Sequence, residues 1–177
     1  DKIALFLRNS PEFIYTIFAA SKLGAILVPV NTFLKEEELS YILEDSGSAV
    51  LVASTVYDKV VNSSKASSLC RFILWEGNDL AEGEQHHSFK EALKSDTPAE
   101  HTQRALEDTA VIIYTSGTTG KPKGAMLSYK NIFSNAMSGA MTIKVKPKDR
   151  GIVFLPMFHS FTFSIGVMLP MLSLIHI

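Results

Sequence analysis

One segment of the 177-residue chain is rich in groups that can bind phosphate. Residues 115–124 contain three glycines, four hydroxyl side chains and two lysines. Glycine lets backbone N–H groups approach an anion, Ser and Thr hydroxyls donate further hydrogen bonds, and lysine neutralises negative charge. The segment follows an apolar run, Ala110–Thr115, that predicts a buried strand. The pattern therefore favours a phosphate-binding loop over an ordinary surface turn.

Two widespread nucleotide-binding patterns are absent from this loop. A Walker A loop has a glycine five positions before its Gly-Lys pair and a Ser or Thr after the lysine. Here the first position is Thr115, and Pro122 follows Lys121. The chain also has no G-x-G-x-x-G, the fingerprint of dinucleotide-binding folds. The loop must therefore belong to another class of phosphate site.

The loop and its surroundings resemble the AMP-forming adenylating superfamily, which includes acyl-CoA synthetases, firefly-type luciferases and the adenylation domains of peptide synthetases. Residues 114–131 are similar to the signature of that superfamily. Residues 154–161, Phe-Leu-Pro-Met-Phe-His-Ser-Phe, resemble its next motif, and residues 24–31 and 37–52 resemble its N-terminal region. The resemblance spans nearly the whole chain and is weakest in 56–107 and in the last few residues.

The resemblance implies a role for each residue of the loop, which in the family folds over the β- and γ-phosphates of ATP. The implied nucleotide-binding residues are Thr115, Ser116, Gly117, Thr118, Thr119, Gly120, Lys121, Lys123 and Gly124. Lys123 occupies the place of the family's lysine and is expected to be catalytic. The position of Lys121 accepts many residue types in the family, so we rank it below Lys123.

His159 is the second residue with an implied catalytic role. The family places a histidine here, between the acyl pocket and the reacting phosphate. Without the resemblance, a single histidine between Phe158 and Phe161 would more simply be a core residue with satisfied hydrogen bonds. Both interpretations are open at the level of the sequence, and the resemblance favours the site role.

The implied reaction activates a carboxylate with Mg-ATP, through an acyl-adenylate, and then forms a thioester with coenzyme A as co-substrate. The stretch around Pro156–Phe161 looks more like fatty acyl-CoA ligases than amino-acid adenylation domains, which favours a medium- or long-chain fatty acid. A different carboxylate, or a phosphate-binding module without catalysis, is the alternative.

Several motifs of the family do not occur in the chain. These are the adenine-side Tyr-Gly-x-Thr-Glu, whose glutamate helps to hold Mg²⁺, the ribose-contacting Thr-Gly-Asp, and the small C-terminal domain with its catalytic lysine. We therefore expect residues 1–177 to be a partial N-terminal domain that is inactive alone. No metal ligands are predicted within it.

Composition narrows the possible partners. The formal net charge is −1, from 17 basic and 18 acidic residues, so there is no surplus of positive charge for nucleic acid. Residues 151–177 contain no Asp, Glu, Lys or Arg, and a membrane-anchored protein that uses them as a span is an alternative. Pro156, Gly166 and Pro170 oppose that reading and favour a buried strand and helix. The expected location is the cytoplasm, with peripheral contact with a membrane left open.

Alternating apolar runs and helical patterns predict an α/β fold, a mostly parallel sheet flanked by helices, as in the large N-terminal domain of acyl-CoA synthetases. The predicted strands are Ile3–Leu7, Ala25–Val30, Ala49–Ala53, Phe72–Trp75, Ala110–Thr115 and Ile152–Leu155. The predicted helices cover residues 11–23, 35–46, 56–65, 89–93 and 128–141. The single cysteine, Cys70, is expected to be a buried apolar residue, and the pair His86 and His87 is expected to lie in a surface loop rather than to bind a metal.

Overall fold

The computed structural model describes residues 1–77, 83–115, 120–146 and 148–174. Within these residues the chain forms a seven-stranded sheet of order β5-β4-β3-β1-β2-β6-β7. The strands are β1 Lys2–Phe6, β2 Ile26–Pro29, β3 Val50–Ser54, β4 Phe72–Glu76, β5 His86–Ser88, β6 Thr109–Thr115 and β7 Lys123–Ser128. The first six strands run parallel to one another, and β7 is antiparallel to β6. The predicted mostly parallel sheet is confirmed.

Helices connect the strands and cover the sheet. They are α1 Pro11–Leu23, α2 Glu36–Ser46, α3 Asp58–Ser63, α4 Ala66–Leu69, α5 Phe89–Ala92, α6 Tyr129–Ile143 and α7 Leu169–Ser173. A 3₁₀ turn, Thr55–Tyr57, precedes α3, and a π-helix, Thr162–Met168, leads directly into α7.

Local sequence explains where the two longest helices begin. The Ser10 hydroxyl accepts a hydrogen bond from the Phe13 N–H, and Pro11 takes the first helical position of α1, where no N–H is needed. Ser128 and Asn131 form a capping box at the start of α6. Both starts agree with the sequence prediction.

Two apolar clusters lie on opposite faces of the sheet. Ile3 and Leu5 of β1 point to one face, which α1, α6 and the π-helix cover. Ala4 and Phe6 point to the other, which α2, α3 and α4 cover. Because both faces are buried, the strands are continuously apolar rather than alternating.

The structure corrects the prediction in four places. Residues 152–155 form no strand, and Ile152 and Phe154 are 87% and 81% exposed. The predicted helix 56–65 is divided between the 3₁₀ turn and α3. His86 and His87 lie in strand β5 rather than in a loop, and β7, which was not predicted, lies between the phosphate loop and α6.

Cys70 is buried, as expected, with 4% of its surface exposed. Burial raises the pKa of its thiol to about 11, so the thiol stays protonated near neutral pH. Among the described residues, none of the helices combines the length and the apolar composition that crossing a bilayer requires.

Candidate functional site

The predicted phosphate loop joins the two strands of an antiparallel hairpin. Thr115, the last residue of β6, lies opposite Lys123, the first residue of β7, and Tyr114 lies opposite Gly124. Both Thr115 and Lys123 are exposed at this loop end of the hairpin. The predicted site residues Ser116, Gly117, Thr118 and Thr119 lie outside the described residues.

Two glycines of the loop are required for different reasons. Gly120 has a φ of +92°, which favours glycine, and apart from its chain neighbours no atom of the described residues lies within 4 Å of the position of an added Cβ. An added Cβ on Gly124 would lie 2.7 Å from Ile112 Cγ2 and 3.1 Å from Tyr114 Cζ. Gly120 therefore borders open space that a ligand can enter, whereas Gly124 lets a tyrosine ring pack across the hairpin.

The two lysines of the loop have different surroundings. The Lys121 Nζ lies 5.3 Å from the centroid of the Tyr41 ring, within the range of a cation–π contact. Lys123 is exposed at the start of β7. Neither lysine forms an ion pair with a carboxylate of the described residues, so both charges are available to an anion.

His159 lies in the segment that leads into the π-helix. Its side chain is exposed, so the interpretation as a core residue is wrong. The ring Nδ1 accepts a hydrogen bond from the Phe161 N–H at 3.3 Å, and the His159 N–H donates to the Pro156 carbonyl at 3.1 Å. The backbone thus orients an exposed imidazole whose Nδ1 is an acceptor.

Asn9 holds this segment in place and was not predicted. Its Nδ2 donates to the carbonyls of Leu155 at 2.8 Å and Val153 at 3.3 Å, and its Oδ1 accepts from the Met157 N–H at 2.8 Å. One amide therefore fixes the backbone just before His159. The available sequence signal was its position directly after a predicted buried strand, where polar side chains of α/β sites gather.

The loop and the His159 segment lie at the same edge of the sheet. Because β1, β2 and β6 are parallel, their carboxyl ends share one edge, and Thr115 and Asn9 stand at or just beyond it. Phe33, which follows β2, contacts the Phe158 ring edge-on with centroids 6.4 Å apart. Ligands of open α/β sheets bind outside this edge.

The described residues suit a triphosphate better than a free metal ion. Two lysines without acidic partners, the exposed Thr115 hydroxyl and the open space beside Gly120 match an extended polyanion. In the described part of the chain there is no group of three His, Cys, Asp or Glu side chains that could hold a metal.

Comparison with known proteins shows the family. The family model described as AMP-binding enzyme matches residues 1–176. The chain belongs to this family. Among the curated relatives of this chain, the long-chain-fatty-acid–CoA ligase FadD13 of Mycobacterium tuberculosis is 39% identical over 164 residues, which cover 90% of this chain and 31% of that protein.

Two further comparisons support the assignment. The crotonobetaine/carnitine–CoA ligase of Salmonella enteritidis PT4 is 33% identical over 165 residues, which cover 90% of this chain and 32% of that protein. The crystal structure of the anthranilate CoA ligase AuaEII, in complex with anthranoyl-AMP, superposes with a TM-score of 0.90 and 28% identity, covering 99% of this chain and 34% of that one. The chain thus spans about a third of the length of the relatives that it matches.

Proposed function

We propose that this chain is the N-terminal part of an acid–CoA ligase and that its β6–β7 loop binds the pyrophosphate end of ATP. The observation that carries the proposal is the glycine- and hydroxyl-rich loop with its two lysines, Lys121 and Lys123, at the carboxyl edge of the parallel sheet. Membership of the AMP-binding enzyme family and the CoA ligases among its relatives support it.

The proposed reaction has two steps. A carboxylate oxygen attacks the α-phosphorus of ATP, the bond from that phosphorus to the bridging oxygen breaks, and pyrophosphate leaves. The thiolate of coenzyme A then attacks the acyl carbon of the adenylate, and AMP leaves with the bonding electrons. Lys123, assisted by Lys121, stabilises the negative charge that grows on the leaving pyrophosphate, which is the main electrostatic contribution in transfers of this type.

His159 is proposed to stand between the carboxylate and the α-phosphate. Its exposed ring and its fixed Nδ1 support this role, because a histidine that positions a substrate must be both accessible and oriented. Asn9 supports it indirectly by holding the preceding backbone.

A medium- or long-chain fatty acid is the proposed substrate. An apolar cavity of about 300 Å³ adjoins the His159 segment, and its lining includes Phe154, Phe161, Ile165 and Leu169. Cavities of this size and character bind apolar ligand groups. The long-chain-fatty-acid–CoA ligase among the relatives agrees with this choice.

Pyrophosphate exchange tests the proposal directly. The full-length ligase that contains this chain is incubated with Mg-ATP, labelled pyrophosphate and carboxylates of increasing chain length. We expect label to enter ATP only with a carboxylate, and most rapidly with medium- or long-chain fatty acids. Mg-ATP binding without exchange for any carboxylate would support the phosphate-binding module instead. The 177-residue chain alone is expected to show no exchange.

A further inference from the structure

Helix α2 contacts strand β6 and the residue that immediately precedes strand β7 in the phosphate-binding hairpin. The Tyr41 hydroxyl donates a hydrogen bond to the Pro122 carbonyl at 3.2 Å. In the opposite direction, the Tyr114 hydroxyl of β6 donates to Asp45 Oδ2 at 2.5 Å. Tyr41 and Asp45 are four residues apart in α2 and therefore lie on the same side of the helix, one turn apart.

Tyr41 contacts two consecutive residues just before Lys123. Its hydroxyl binds the carbonyl of Pro122, and its ring lies 5.3 Å below the Lys121 ammonium. The residues that lead from the loop into β7 are thus held both through the backbone carbonyl of Pro122 and through the side chain of Lys121. Because Pro122 has a ring-restricted φ, holding its carbonyl also fixes the plane of the peptide that leads into Lys123.

The hydrogen bond between Tyr114 and Asp45 holds strand β6, which leads into the loop. Tyr114 pairs with Gly124 across the hairpin, and its ring packs over that glycine. Burial, followed by the hydrogen bond with Asp45, raises the pKa of the Tyr114 hydroxyl well above its ordinary value, so the donated proton is retained. This contact holds strand β6, and the Tyr41 contact holds Pro122, just before strand β7.

The hairpin needs support of this kind because of its place in the sheet. β7 is the last strand in the sheet order and pairs only with β6 among the described strands. A strand at a sheet edge has one row of backbone groups without a strand partner. Contacts from α2 supply a third attachment at the end that carries the lysines.

We propose that Tyr41 and Asp45 are positioning residues, which hold the β6–β7 hairpin in the conformation that receives the triphosphate. We call the two hydrogen bonds from α2, Tyr41 to Pro122 and Tyr114 to Asp45, the tether. The effect of the tether on catalysis rests on the proposed function, but the tether itself is a property of the hairpin. Removing it leaves the charges in place and increases the freedom of the backbone that carries them. The loss therefore falls on binding and alignment of ATP, and the carboxylate is unaffected.

The test compares Tyr41→Phe with Tyr57→Phe in the full-length ligase. Tyr41→Phe removes the hydrogen bond to Pro122 and keeps the ring under Lys121. Tyr57→Phe is the matched control, since the Tyr57 hydroxyl also has one hydrogen bond, from Arg8, in a part of the molecule away from the hairpin. We expect Tyr41→Phe to raise KM for ATP about fivefold, the factor for one lost neutral hydrogen bond, with an unchanged KM for the carboxylate.

Amide hydrogen exchange measures whether α2 holds the hairpin, and it does so independently of enzyme activity. In Tyr41→Phe, peptides that cover residues 120–128 are expected to exchange faster than in the wild type, while peptides from β1 and β3 are unchanged. Asp45→Ala should act in the same way, and Asp45→Asn, which keeps an acceptor oxygen for Tyr114, should restore most of the protection. A melting temperature that falls equally in Tyr41→Phe and Tyr57→Phe does not alter these differences.

The outcomes separate this inference from the proposed function. Equal exchange of residues 120–128 in wild type and Tyr41→Phe would overturn the tether, whatever the activity. Faster exchange with an unchanged KM for ATP in an active enzyme would overturn the positioning role. If the wild type shows no carboxylate-dependent pyrophosphate exchange, the proposed function fails, and the hydrogen-exchange comparison still decides whether α2 holds the hairpin.

Discussion

At the scale of single residues, the two lysines of the loop are not equivalent. Lys121 lies over the Tyr41 ring, whereas Lys123 is exposed at the loop end of the hairpin. In the full-length ligase, Lys123→Ala is expected to slow adenylate formation on the order of 100-fold, because it removes a charge that stabilises the leaving pyrophosphate. Pyrophosphate exchange at saturating carboxylate measures this effect.

Two control variants test whether the slower exchange is specific to the loss of Lys123. Lys121→Ala should slow exchange much less, since part of its charge is directed at an aromatic ring. Lys59→Ala, at an exposed position of α3, should leave the rate unchanged. A normal exchange rate in Lys123→Ala would remove the role assigned to this lysine.

Gly124 gives a second prediction at this scale. An added Cβ would collide with Ile112 Cγ2 at 2.7 Å and with the Tyr114 ring, so Gly124→Ala is expected to lower the free energy of unfolding by about 1–3 kcal/mol. Urea unfolding measures the change. Gly120→Ala is the contrasting variant: its Cβ meets open space, and only the φ of +92° opposes it. An unchanged stability in Gly124→Ala would show that the ring does not lie over the glycine.

The raised pKa of Tyr114 predicts that the free energy of unfolding depends on pH in the alkaline range. Its folded-state pKa is raised above the unfolded value of about 10 by burial and by the hydrogen bond with Asp45. The folded state therefore retains a proton that the unfolded state loses first, so the contribution to stability is complete below about pH 10 and is lost as pH rises through the folded-state value.

The measurement is the free energy of unfolding between pH 8 and about pH 11, compared for wild type and Tyr114→Phe. The wild type should lose stability more steeply at the alkaline end of this range. Tyr57→Phe, whose hydroxyl is bonded elsewhere, should follow the wild type. Parallel curves for wild type and Tyr114→Phe would contradict the assigned cause.

At the scale of elements, Asn9 joins the end of β1 to the segment that carries His159. Asn9→Asp keeps the acceptor for the Met157 N–H but replaces the donor to the Leu155 carbonyl with a second oxygen. We expect a loss of about 1–3 kcal/mol in the free energy of unfolding, together with faster hydrogen exchange in residues 153–160.

The matched control is Asn62→Asp, at an exposed position of α3, which makes the same chemical change. It should leave both the stability and the exchange of residues 153–160 as in the wild type. Equal effects of the two substitutions would mean that a general change of charge, and not the three hydrogen bonds of Asn9, accounts for the result.

Elements that carry their own signals were predictable from sequence. Ser10, Pro11 and Gly24 mark both ends of α1, and the continuous apolar runs of β1 and β3 reflect burial on both faces of the sheet. These signals are local, so no knowledge of the tertiary structure was needed to use them.

Elements that depend on tertiary contacts were missed. β7 contains Gly124 and Ala125 and is largely exposed, so its strand form comes from pairing with β6 and not from an apolar pattern. Residues 152–155 show the opposite error: their composition favours a strand, but the carbonyls of Val153 and Leu155 bind the Asn9 side chain instead of a neighbouring strand.

The residues of the candidate site fall into the same two groups, those with a local sequence signal and those that depend on tertiary contacts. The loop residues and His159 were predicted because a resemblance covers each of them in sequence. Asn9, Tyr41 and Asp45 lie far from these motifs along the chain, and only the fold brings them to the hairpin and to the His159 segment. Contacts across more than 60 residues leave no periodicity or composition from which to infer them.

At the scale of the whole molecule, the sheet has well-covered faces, but one part of the surface remains apolar. Ile152 is 87% exposed, Phe154 81% and Ile143 59%, and all three line the cavity beside the His159 segment. Exposed apolar groups that lie together mark surfaces that associate. We therefore expect the 177-residue chain on its own to self-associate as its concentration rises.

Sedimentation velocity over a concentration series measures this association, and single substitutions locate it. Phe154→Lys should weaken self-association on the order of tenfold, since burial of one large apolar side chain contributes about 1.5–3 kcal/mol and a charge in its place opposes contact. Val56→Lys, at a position 56% exposed in the 3₁₀ turn before α3, should have no such effect. A wild-type chain that stays monomeric at every concentration, or an equal response to both substitutions, would contradict the assignment of the associating surface to the region around Phe154.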